Sequence, residues 1–178
     1  MDKSIIERKN KKINERTQKM KKFKIEINRK TYSMIDVKQW AEDLEVKPKE
    51  ILEKIKNWDA KQWAIFAYTQ FDSDYIGDIT DLGDDIGTDD VDFYGEELSV
   101  LTDDEAEDRW EEELDSYIDE ALEIPDYIRP YFDEEAWKRE ARLDGRGHAI
   151  SRYDGHENDF HIKFDDGSEE WIYIYRQN

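Results

Sequence analysis

Cysteine is absent from the 178-residue chain, which excludes disulfide frameworks and thiolate metal sites. No apolar run approaches the ~20 residues that span a bilayer, and residues 1–22, though basic, hold no apolar leader core. Membrane insertion and export are therefore not expected. There is no thiol nucleophile, no G-x-S-x-G elbow and no Walker loop, so an enzyme is not expected either. Positive charge is scarcest in the middle of the chain. Between Asp72 and Glu135, 27 Asp and Glu face only Arg109 and Arg129, a net of −25 in a protein whose total is −20.

A folded domain does not need that much like charge. Self-repulsion opposes compaction, and a far smaller net charge secures solubility. The carboxylates are thus either a built electrostatic surface or a disordered tail. The aromatic residues favour the surface. The chain is 13% aromatic, with six Trp and ten Tyr. Tyr75, Phe93, Tyr94, Trp110, Tyr117, Tyr127, Tyr131 and Phe132 lie among the acids, whereas disordered acidic tails lack such rings.

Charge also changes sign along the chain, from +7 over residues 1–57 to −27 over residues 58–178. The division implies a basic front region (arm, short β-hairpin and helical hairpin) followed by an acidic α+β domain. Such a basic arm can dock on its own acidic body or on a second copy, which would give a homodimer.

The expected fold class is α+β: a small N-terminal lobe of strands and a helical hairpin, then acidic helices, then a C-terminal antiparallel β-meander. Phe23, Ile25 and Ile27 alternate with polar residues as in a half-buried strand, and residues 28–30 can turn the chain into a partner over 31–33. Asp36 is expected to cap a helix from 37 to about 44, and Pro48 to open a second one. This pair resembles a helix-turn-helix, although its second helix mixes Lys with Glu. Residues 58–71 are the most apolar stretch, read as a central strand or strand-and-helix element. The Asp- and Gly-rich residues 72–97 read as an exposed loop or short helix. Thr102 to Glu105 is a capping-box signature, opening a helix with Ala106, Trp110, Leu114, Tyr117, Ile118, Ala121 and Leu122 on one stripe. Pro125 is expected to end it. Asp133 is expected to cap a helix running to about 143, with Gly145 as its stop. Residues 149–153, 160–164 and 171–175 read as the three strands of the meander, with residues 165–167 turning between the last two.

Three clusters invite chemistry. Asp72, Asp74 and Gly77 fit EF-hand loop positions 1, 3 and 6, but Ile76 and Gly83 fail positions 5 and 12, so no calcium site is expected. Asp144, His148, Asp154, His156 and Glu157 can be drawn as a metal site or acid–base pair, with Arg146 between two glycines as a phosphate holder. Their spacing fits no known ligand set, so the reading favoured is turns, caps and local pairs, with no metal and no cofactor. The third cluster is the acidic helix. Eleven carboxylates lie between Asp103 and Glu120. Over ~27 Å of helix this is one charge per ~2.5 Å, against one per ~1.7 Å along duplex DNA. A cationic cleft built for DNA responds to such a pattern as it does to phosphate.

Two stretches carry a family resemblance. Lys61, Gln62, Trp63, Ala64, Ile65, Phe66, Ala67 and Tyr68 are similar to a segment in the first part of ArdA-type antirestriction proteins. Ala121 to Pro125, followed by Tyr131, Phe132, Asp133, Ala136, Trp137, Arg139 and Glu140, resembles that family's C-terminal run. Residues 144–178 also resemble small uncharacterised acidic proteins of tailed phages. The resemblance implies an elongated acidic dimer from a phage or mobile element that mimics bent DNA and occupies a type I restriction-modification enzyme. The basic front region and the Asp/Gly stretch 72–97 depart from the family pattern.

The expectation is thus an anti-defence inhibitor in the host cytoplasm. Its acidic domain would not bind DNA but would fill the DNA cleft of a restriction-modification enzyme. The candidate contact residues are Asp103, Asp104, Glu107, Asp108, Glu111, Glu112, Asp115 and Asp119 on the helix, with Asp84, Asp85, Asp89, Asp90 and Asp92 from the Asp-rich stretch. Trp110, Tyr117, Tyr131 and Trp137 are expected in the core. The rival readings are an anti-CRISPR protein blocking an effector's DNA channel, a phage DNA-binding regulator using residues 34–57, and a metal-dependent enzyme centred on residues 144–157.

Overall fold

A computed structural model describes residues 23–69 and 90–178. These form a mixed α+β fold with six strands in one antiparallel sheet and six α-helices. The strands are β1 (Lys24–Ile27), β2 (Lys30–Ser33), β3 (Asp90–Phe93), β4 (Glu96–Thr102), β5 (Asn158–Phe164) and β6 (Glu169–Arg176), in the order β2-β1-β5-β6-β4-β3. The C-terminal strands form the expected antiparallel meander, β5 pairing with β6 and β6 with β4. The sheet runs unbroken across position 57, because β1 from the front region pairs with β5 from the end.

Local chemistry explains the hairpins. Asn28 and Arg29 both have positive φ, as do Tyr94 and Gly95, so each two-residue loop has the twist that joins antiparallel strands. Asn28 also fastens its hairpin to β5. Its Oδ1 accepts from His161 N–H at 2.7 Å and its Nδ2 donates to the Asp159 carbonyl at 3.0 Å.

Helices α1 (Met34–Asp43), α2 (Pro48–Ile55) and α3 (Ala60–Tyr68) cover one sheet face. Here Ile25, Ile27, Leu98, Val100, Ile162, Ile172 and Ile174 meet Val37, Trp40, Ile51, Trp58, Trp63 and Phe66 in the main core. The other face is covered over β4 and β6 by α4 (Asp103–Glu120) and α6 (Arg146–Ile150), where Leu101, Ala106, Ile150 and Tyr175 make a second, smaller core. Helix α5 (Glu134–Ala141) packs on α4. Among the described residues no helix is long and apolar enough to cross a membrane.

Several expectations are corrected. Of the stretch expected as a strand or a strand-and-helix element, residues 60–68 are a helix: Asp59 and Gln62 form a capping box, with Gln62 N–H to Asp59 Oδ1 at 2.9 Å. The cap of α1 is Ser33, and Asp36 is its reciprocal partner three residues on. Residues 90–97, part of the stretch expected as loop or short helix, belong to the hairpin β3–β4, while α4 stops at Glu120, before Pro125. Residues 146–150 are helical, so the third strand of the meander is β4 rather than residues 149–153. The expected caps Thr102 and Asp133 are in place. Replacing Thr102 by Ala removes the oxygen that receives the Glu105 N–H and is expected to cost about 1 kcal/mol, read from urea unfolding.

The α1–α2 pair is a helical hairpin that buries Val37, Trp40, Ala41, Ile51 and Ile55 in the main core. On its outer side Lys56 pairs with Glu53 at 2.5 Å, so part of its positive charge is locally compensated.

Candidate functional site

Helix α4 is the most acidic element described, and its geometry sorts its carboxylates into rows. Residues four apart lie almost above one another, about 6 Å apart along the axis. Asp103, Glu107, Glu111, Asp115 and Asp119 form one such row, and Asp104, Asp108 and Glu112 form the next.

The first row is compensated from within the chain. Arg146 reaches Asp103 at 2.8 Å, and Arg142 reaches Glu107 at 2.6 Å and Glu111 at 2.5 Å. Lys138 bridges Glu111 and Asp115, the latter at 2.5 Å, and Arg129 pairs with Asp119. The cations at 138, 142 and 146 are themselves four apart and run against the direction of α4, so the two segments close like an ionic zipper. The guanidinium of Arg142 also lies 4.4 Å over the Trp110 ring, and that of Arg146 lies 4.3 Å over Tyr173. The consequences for protonation follow. Hydrogen bonds from Lys138 and then Arg142 hold the Glu111 carboxyl below its ordinary range, and Arg146 does the same for Asp103. The bonds it donates to Asp115 and Glu111 push the Lys138 ammonium up.

The second row is different. Asp104, Asp108 and Glu112 are exposed and make no ion pair among the described residues. Glu120 continues their line past Ser116. On the opposite flank Glu105 pairs with Lys61 at 2.7 Å, and Glu113 sits 3.8 Å from both Arg109 and Arg152. Of the eight helix acids expected to act, five therefore hold the fold together and three face solvent uncompensated.

The chain matches no protein family, no curated protein and no solved structure. Its function has to be argued from its own side chains.

Among the acids expected from the Asp-rich stretch, Asp84, Asp85 and Asp89 lie outside the described residues, as do Asp72, Asp74 and the basic residues 1–22. Asp90 begins β3, and Asp92 accepts from Gly95 N–H at 3.1 Å, closing the β3–β4 turn.

Within the motif at 144–157, Arg146, Asp154 and Glu157 form a structural brace. Arg146 holds Asp103 and Glu157, the latter at 3.0 Å, and the buried Tyr175 hydroxyl donates to Glu157 at 2.6 Å. Burial pushes the Tyr175 hydroxyl far up, so it stays a donor. Asp154 accepts from Ser151 Oγ and from His156 N–H, each at 2.9 Å. Among the described residues no three His, Asp or Glu side chains gather as a metal would require.

The four aromatics expected in the core are not there as a group. Trp110 and Trp137 are half-buried, Tyr117 is 53% exposed and Tyr131 is 86% exposed. Tyr117 and Trp137 stack on each other, with centroids 5.6 Å apart and planes within 13°. They wall a cleft of about 270 Å³ between α4, α5 and α6, which the sequence did not signal.

Lys138 is the keystone of the zipper, with its side chain 9% exposed and its two carboxylate partners 43% and 55% exposed. Replacing it by Met is expected to cost about 1–2 kcal/mol near neutral pH, less than for a fully enclosed pair because water still reaches the carboxylates. The penalty has a pH signature. Glu111 is depressed in the fold, so the unfolded chain takes up its proton first, and the stabilisation is complete above about pH 5 and drains as pH falls through the folded value. The gap in thermal midpoint between wild type and Lys138→Met should therefore narrow from pH 7 to pH 3.

Proposed function

We propose that this chain is an anti-defence inhibitor of phage or mobile-element origin that occupies the DNA-binding cleft of a host restriction-modification enzyme. The observation that carries this reading is the free row Asp104, Asp108 and Glu112. These acids are held rigidly at regular intervals of about 6 Å by a helix braced along its neighbouring row. An ordered line of uncompensated anions attracts a groove that has evolved to bind phosphates, because long-range attraction and counterion release depend on charge pattern rather than on the chemical source of the charge.

The resemblance to ArdA-type antirestriction proteins points the same way and has a physical division. The similar residues 61–68 lie in α3, where Trp63, Ala64, Ile65 and Phe66 are buried, so likeness there concerns packing. The similar run at 121–125 and 131–140 lies in the turn and helix that also carry Arg129 and Lys138 onto the acidic helix, although neither cation is one of the shared positions.

The test is DNA cleavage by a purified type I restriction-modification enzyme with added protein, at rising salt. Inhibition should be strong at about 50 mM salt and fade by about 300 mM as the Debye length shrinks. Inhibition that is indifferent to salt would exclude phosphate mimicry.

A further inference from the structure

The cleft between α4, α5 and α6 is not part of the acidic row, and its composition is selective. Tyr117 and Trp137 form an aromatic wall, Leu114 adds apolar surface, and Glu113, Asp144 and His148 supply polar edges. No Lys or Arg lines it, although Arg109, Lys138, Arg139 and Arg146 lie on the same three helices. Glu113 is approached by Arg109 and Arg152 only at 3.8 Å, and Asp144 makes no ion pair among the described residues.

The volume narrows the choice of ligand. At about 270 Å³ the cleft falls below the ~300–1,000 Å³ usual for drug-sized ligands. It suits one long side chain. Asp144, which has no ion pair among the described residues, and Glu113, which two arginines outside the lining reach at 3.8 Å, favour a positive head, and the aromatic wall favours a planar, weakly hydrated one. Guanidinium meets both conditions; an ammonium meets only the first.

We infer that this cleft receives an arginine side chain of the protein that the acidic face engages. The inference rests on the proposed function, since a DNA-binding cleft is where arginines are concentrated. It assigns the cleft a task distinct from the row. The free acids draw in the cationic groove through long-range attraction, and the cleft captures one arginine by contact. Such a division matches the general behaviour of interfaces, in which rim charges steer association while an enclosed aromatic or arginine anchor sets the lifetime.

The experiment is an NMR titration of the full chain with N-acetyl-arginine amide, and separately with N-acetyl-lysine amide, at fixed ionic strength. The expected result is saturable shifts of the Trp137 indole N–H and of the Leu114 and Tyr117 signals, at least threefold tighter for arginine than for lysine. Glu113→Gln combined with Asp144→Asn should weaken the arginine response at least fivefold while the thermal midpoint stays within 2 °C. Absence of shifts at the cleft, equal response to both amides, or an unchanged response in the double variant would each overturn the inference. Shifts confined to Asp104, Asp108 and Glu112 would overturn it too, yet leave the phosphate-mimic reading standing. Saturable arginine capture by a protein that inhibits no DNA-cleaving enzyme would sink the function and keep the cleft.

Discussion

Reversing Asp104, Asp108 and Glu112 together to lysine is expected to abolish inhibition of a restriction-modification enzyme without unfolding the protein. Each reversal replaces attraction by repulsion against a cationic groove. Close charge pairs at interfaces couple by about 1.5 kcal/mol or more each, so three lost pairs weaken binding by about a thousandfold or more. None of the three has an ion-pair partner among the described residues, so far-ultraviolet circular dichroism and the thermal midpoint should barely move. The control is the neighbouring row. Reversing Asp103, Glu107 and Glu111 sets lysines against Arg146, Arg142 and Lys138, and should loosen the helical layer itself. If the first triple variant inhibits as well as wild type, the free row is not the contact surface.

The second large effect concerns Gly147. A Cβ there would fall 2.6 Å from the Gly155 carbonyl oxygen, 2.8 Å from Glu157 N and 2.9 Å from the His156 carbonyl carbon. All three are backbone atoms, so no side chain can swing away. Gly147→Ala should cost about 3 kcal/mol, at the upper end of overpacking penalties. It also pries α6 from residues 155–157 and so disturbs the Arg146 bridge between Asp103 and Glu157. Chemical denaturation should show the loss, and the Tyr175 hydroxyl should become more accessible. Gly95 supplies the contrast: nothing lies within 4 Å of a Cβ there, but its φ is +80°. Alanine at that turn pays only for backbone conformation, about 1 kcal/mol. Equal penalties at the two positions would contradict the close-packed account of α6.

Much of the fold could be read where one face is buried and the other wet. The alternation of Ile25 and Ile27, and of Phe160, Ile162 and Phe164, marks strands because their intervening residues face away from the main core. Reading fails where elements are covered on several sides. Trp63, Ala64, Ile65 and Phe66 are all buried in α3, which erases the helical stripe and leaves an apolar run that suits a strand equally well. The Asp59–Gln62 capping box was the available signal. β4 escapes notice for the same reason, since Leu98, Ser99, Val100 and Leu101 lie between helices on both faces of the sheet.

The candidate site was half legible. Eleven acids on one helix are plain in the sequence, as is the spacing of 138, 142 and 146. Which acids meet which cations depends on the antiparallel approach of residues 134–146 to α4, and pairing across that distance has no local trace. The exposed position of Tyr117 was hidden likewise, because a ring on an apolar stripe looks the same whether or not a neighbour covers it.

The sheet order has a kinetic consequence. β1 borders β5, and β5 in turn lies against β6, so the first hairpin has no neighbouring strand until the last 20 or so residues of the chain arrive. Such long-range closure slows folding. During synthesis the acidic helix emerges before the cations at 138, 142 and 146 that pair with its first row. Nascent chains therefore pass through an interval in which that row lacks its intramolecular partners and its charge stands open to any cation.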